Sequence, residues 1–208
     1  MKSKILVLVA ILFFSSQVFA QDVFNNCPME GDAKRPQVRS LNLLKNRYVA
    51  PKPEDFDPAV TLKTLLVPGD DARRWDNHKA GEVTGYVYDV KVGGIETCNC
   101  HAKDTQNRDT HIELVLDPEQ TTETKRVIVE VTPRWRKMMA DSGLDWTTAG
   151  LRKNLKGWWV KFKGWIMFDE EHKYQSENTY PDGDRNWRAT AWEIHPITSI
   201  EVVQAPEP

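Results

Sequence analysis

Apolar and polar positions alternate most clearly between residues 81 and 203. In GEVTGYVYDVKVGG, Tyr86, Tyr88, Val90 and Val92 alternate with Gly85, Val87, Asp89 and Lys91, the period of two that a half-buried strand requires. Gly85 predicts a bend or bulge, and Gly93-Gly94 ends the run. In DTHIELVLDP, Ile112, Leu114 and Leu116 form one face and Asp109, His111 and Glu113 the other. In KRVIVEVTP the apolar face is Val127, Val129 and Val131, and Pro133 ends it. The period then lengthens. Trp135, Met138, Met139 and Leu144 recur at helical spacing, with Gly143 dividing two helices, Asp145 capping the second and Gly157 near its end. Alternation returns in WWVKFKGWIMF, with Trp158, Val160, Phe162, Ile166 and Phe168 on one side. The last strand is RATAWEIHPITSIEVV. There Trp192 and Ile194 point inward, Glu193 and His195 outward, and Pro196 marks a kink or an edge.

Residues 21–80 read differently. Pro28, Pro36, Pro51, Pro53, Pro58 and Pro68 each fix φ and remove a donor, so this stretch is an arm with short helices only. One helix is expected over Arg39 to Tyr48. Another runs from Pro58 to Val67, with Asp57 as N-cap and Val60 and Leu65 against the main domain. Residues 204–208 form a polar tail.

Three strands, a helical segment and two strands make an order that resembles the OB-fold, a five-stranded Greek-key barrel with its helix between strands three and four. The resemblance lies in element order over residues 81–203, with no sequence signature of a characterised family. It implies a mainly β protein whose first and last inter-strand loops share one end and flank the ligand face. Here those are the two longest polar connections, residues 93–108 and 169–188. Loops of that length inside a compact domain are usually functional.

Residues 1–20 combine Lys2 and Lys4 with the apolar run Ile5 to Phe14, and Val18 and Ala20 stand where a cleavage site needs small residues. They are expected to be a signal peptide, making the mature protein secreted or periplasmic, with no later stretch long enough to span a membrane. Removing Lys2 and Lys4 takes the formal charge from −2 to −4, which argues against general attraction to nucleic acid.

The candidate chemistry collects at the loop pole. Cys98 and Cys100 lie two apart, His101 adjoins them, and Asp109, His111 and Glu113 share a strand face. Three cysteines in an oxidising compartment predict a disulfide from Cys27 to Cys98 or Cys100. The alternative is zinc on Cys98, Cys100, His111 and His172, serving a metal-binding protein or metal-dependent hydrolase. A cysteine nucleophile paired with His111 has no signature to support it. Glu193 and His195 are read as structural rather than as an acid–base pair. Trp159, Lys161, Lys163 and Trp165 make an aromatic and basic strand face expected to be covered by the arm or the helix. The expected ligand contacts are His101, Asp109, His172, Tyr174, Tyr180, Arg185, Trp187 and Arg188. The leading expectation is a non-catalytic binding module for a glycan, a peptide or an envelope protein.

Overall fold

The computed structural model describes residues 23–206. The expected signal peptide and the end of the tail lie outside the described residues. Five strands close a barrel: β1 (Ala80–Val92), β2 (Thr110–Val115), β3 (Val127–Val131), β4 (Trp159–Phe168) and β5 (Trp192–Val202). Their order around the barrel is β1-β2-β3-β5-β4, and β4 pairs back onto β1. All neighbours are antiparallel except β3 and β5, which run parallel with Val129 opposite Ile194. Helices α3 (Pro133–Asp141) and α4 (Thr148–Leu155) connect β3 to β4. This is an OB-like barrel, as the order of elements implies.

The interior takes the alternating residues of β2 and β3, Ile112, Leu114, Val127, Val129 and Val131, with Val160, Phe162, Ile166 and Phe168 from β4 and Trp192 and Ile194 from β5. Burying each large side chain contributes about 1.5–3 kcal/mol. In β1 the interior face is Val83, Val87 and Val90. Tyr86 and Tyr88 instead pack outside, on Trp159 and beneath the Arg126 guanidinium. A bulge between Val87 and Asp89 shifts the phase, so Val90 turns inward three residues after Val87. Gly85 is not the bulge. It leaves room for Leu62, whose Cδ2 would lie 2.5 Å from an added Cβ.

Three further expectations are corrected locally. Trp158 is 58% exposed, because it still belongs to the turn that follows α4 and its N–H bonds the Leu155 carbonyl. The second arm helix, α2, is only Leu62–Leu65, since Thr61 and Thr64 form a capping box while Asp57 closes a turn at Ala59 and Val60. Thr147, not Asp145, caps α4; Asp145 accepts from the Thr147 N–H and hydroxyl. Val60 and Leu65 do pack into the barrel core.

The arm wraps the barrel. A two-residue ribbon, Val23–Phe24 with Cys27–Pro28, turns through Asn25 and Asn26, both at positive φ. Helix α1 (Pro36–Lys45) follows, and Cys27 is disulfide-bonded to Cys100 in the β1–β2 loop. Beyond α1, the Val49 carbonyl accepts from Trp165 Nε1 at 2.7 Å and Arg47 lies over the same indole, so the arm covers Trp165. Among the described residues no helix is long and apolar enough to cross a membrane.

Candidate functional site

The β1–β2 and β4–β5 loops meet at one end of the barrel, and α1 is wedged between them. The buried residues of α1, Val38, Leu41, Asn42 and Lys45, fall on one helical face. Asn42 bonds the Glu30 carbonyl and Thr97 Oγ1, and Asn46 Nδ2 donates to the Cys98 carbonyl at 2.9 Å. Lys45 Nζ lies 2.7 Å from Glu96 Oε2 and 3.2 Å from Asp169 Oδ2. One arm cation therefore joins both loops.

Beneath this contact is a layer of buried ionisable side chains. Glu193 and His195, on the outer face of β5, are covered completely. Arg188 Nη1 pairs with Glu193 Oε1 at 2.6 Å, and His195 Nδ1 lies 3.1 Å from Glu193 Oε2 and 3.5 Å from Glu130 Oε2. Glu130 stands opposite His111 in the β2–β3 register, and His111 Nε2 approaches its Oε1 at 3.0 Å, outside hydrogen-bond geometry. Asp109 Oδ2 accepts from Asn99 Nδ2 at 2.8 Å, and the Cys98 thiol lies 3.6 Å from it.

Burial and neighbouring charge set the protonation of this layer. Burial raises the Asp109 carboxyl to about 6, with Glu130 and Glu96 adding to the rise and His195 opposing it. Burial disfavours the His111 imidazolium, yet Glu130, Glu96 and Glu193 outweigh it and lift the value to about 9. Burial likewise opposes ionisation of Glu193, but Arg188 and His195 draw it down to about 2. The Cys98 thiol is pushed well up by burial and then by Asp109 and Glu96, so it is no ready nucleophile.

Six of the eight expected contact residues fall into two groups. Asp109, His172 and Trp187 belong to the inner layer or its cover. His172 Nδ1 bonds Asp169 at 2.8 Å, and Trp187 lies parallel to the His111 ring at 6.2 Å and edge-on to His172 at 5.6 Å. Tyr174, Tyr180 and Arg185 stand on the rim and line one groove with Asp184. His101 is exposed but held by Asp32 of the arm at 2.7 Å. Arg188 is completely buried and spent on Glu193, which removes it from the ligand-facing set.

The four-residue zinc set is also corrected. Cys100 is oxidised to Cys27 and has no thiolate to give. Cys98 groups with Glu96 and Asp109, and His172 with Asp169 and Glu193. Sequence reasoning missed Lys45, Glu96, Glu130 and Asp169. The signal for Lys45 is its place on the stripe of Val38, Leu41 and Asn42.

No protein-family model matches this chain, and no curated protein matches it either.

Proposed function

We propose that this is an exported, non-catalytic binding module whose ligand is an oligosaccharide held at the rim of the β4–β5 loop. The observation that carries this reading is the pair Tyr174 and Tyr180. They are 64% and 50% exposed, and their rings meet edge to face at 5.9 Å. Together with Asp184 and Arg185 they line a groove of about 410 Å³. Tyr174 also borders a groove of about 560 Å³ that runs along α1 past Arg35, Glu170 and Lys173. Aromatic faces beside charged and polar groups suit sugar rings, which offer apolar C–H faces and a rim of hydroxyls. Export is supported by the signal-like first twenty residues and by the Cys27–Cys100 bridge, which fits an oxidising compartment.

The test is a glycan screen followed by titration of the hits. Tyr174→Ala and Tyr180→Ala should each weaken binding by about tenfold, roughly 1.4 kcal/mol, while leaving thermal unfolding unchanged. Binding that survives both substitutions would place the ligand elsewhere. Capture of peptides or an envelope protein, with no glycan, would move the ligand to that class.

A further inference from the structure

We propose that Asp109, Glu130 and His195 bind a divalent transition-metal ion, zinc or manganese, at the base of the loop pole. The proposal does not depend on what the rim binds.

Three barrel strands bring these residues together. Asp109 immediately precedes β2, Glu130 lies in β3 and His195 in β5. Because β3 and β5 run parallel with Val129 opposite Ile194, the next residue on each strand, Glu130 and His195, stands side by side. One donor atom from each of the three side chains lies within 4.8 Å of the other two.

A second observation points to a ligand. Each of the three has one polar atom buried without a hydrogen-bond partner: Asp109 Oδ1, Glu130 Oε2 and His195 Nε2. Other atoms of the same groups have near neighbours, and Glu130 Oε2 itself lies 3.5 Å from His195 Nδ1. Asn99 holds Asp109 Oδ2, and Glu193 holds His195 Nδ1. Glu130 Oε1 has His111 at 3.0 Å. In metal sites, partners outside the ion's own shell hold ligating histidines and carboxylates in place in this manner.

Charge supports the same conclusion. Glu96, Asp109, Glu130, Asp169 and Glu193 are five carboxylates in one layer, facing Lys45, Arg188 and Arg136 and the His111 imidazolium. Carboxylates in that number give an ion anionic ligands at the cluster. Two carboxylate oxygens with one imidazole nitrogen suit zinc or manganese, whereas calcium and magnesium prefer an all-oxygen shell.

The full chain, its disulfide intact, would be unfolded with a chelator and refolded with zinc, manganese or magnesium chloride. It would then be desalted and assayed for bound metal and thermal unfolding. We expect about one zinc or manganese ion per chain, no retained magnesium, and a Tm higher by about 5 °C or more. Asp109→Asn and His195→Gln should abolish the bound metal, while Cys98→Ala keeps it. If those ligand variants fail to fold, cobalt in the unmodified protein decides: a spectrum without thiolate charge transfer is expected. Three results would overturn the proposal. They are no stoichiometric metal after refolding, metal retained in both ligand variants, or a thiolate band that disappears in Cys98→Ala, which would put the ion on the neighbouring thiol.

Discussion

Lys45, from the N-terminal arm, lies 3.2 Å from Asp169, the first residue after β4, and both side chains are almost wholly buried. Glu96 completes the contact from the β1–β2 loop at 2.7 Å. Removing one partner of a buried ion pair leaves an uncompensated charge, a larger loss than the pair's net worth. Lys45→Met should therefore lower the unfolding free energy by about 3–5 kcal/mol in denaturant titration. A loss below about 1 kcal/mol, as for exposed pairs, would mean that the two carboxylates do not depend on Lys45.

The same pair sets an acid limit. Burial disfavours the Asp169 carboxylate, but Lys45, and then His172 and Arg188, hold its value well below the usual range. The folded value is depressed, so the unfolded chain takes up this proton more readily. The contribution is present above about pH 4 and is lost as pH falls toward the folded value. Urea unfolding between about pH 7 and pH 3 should show stability falling on the acid side. Asp169→Asn should be less stable at neutral pH and show a flatter acid slope. An unaltered slope would assign the acid sensitivity to other carboxylates.

Among the described residues the free thiol is Cys98, buried beside Asp109. The native protein should resist alkylation, and the unfolded, unreduced protein should yield one thiol per chain. Replacing Cys27 and Cys100 together by serine should cost about 2–5 kcal/mol, because the bridge spans 73 residues and restricts the unfolded chain. Two reactive thiols in the native protein would contradict both expectations.

Gly164 tests the closure of the barrel. It lies opposite Ile197 where the β4–β5 register shifts, and a Cβ there would fall inside contact distance of the Pro196 carbonyl oxygen. Backbone cannot rotate aside as a side chain can. Gly164→Ala should therefore destabilise by about 1–3 kcal/mol. Calorimetry showing no loss would mean that the strand pair adjusts more freely than its register implies.

The strands are legible because residues such as Ile112, between His111 and Glu113, and Val131, between Glu130 and Thr132, alternate with polar neighbours and face inward as that pattern demands. The same rule misreads β1. Tyr86 and Val87 are both apolar enough for the interior, and the bulge that decides between them leaves no mark in composition. The site is half legible. Asp109, His111 and His172 stand out as metal-type residues in polar loops or on a polar strand face. Glu130 looks like an ordinary solvent-facing residue between valines, and Lys45 like a charged residue on a surface helix. What buries them is the meeting of the arm with two loops distant in sequence, which local periodicity does not encode. Trp187 is legible as an aromatic at the pole, but its stacking on His111 follows from the β4–β5 loop folding back over β2.

The pocket for Lys45 has walls from two loops distant in sequence and is complete only when both are in place. Docking of helix α1 is therefore expected to come late in folding. Contacts that form after the rate-limiting barrier alter escape from the native state more than approach to it. In stopped-flow experiments Lys45→Met should speed unfolding and leave the folding limb nearly unchanged. The arm then acts as a latch on lifetime, controlling how long the closed barrel persists rather than how fast it is made.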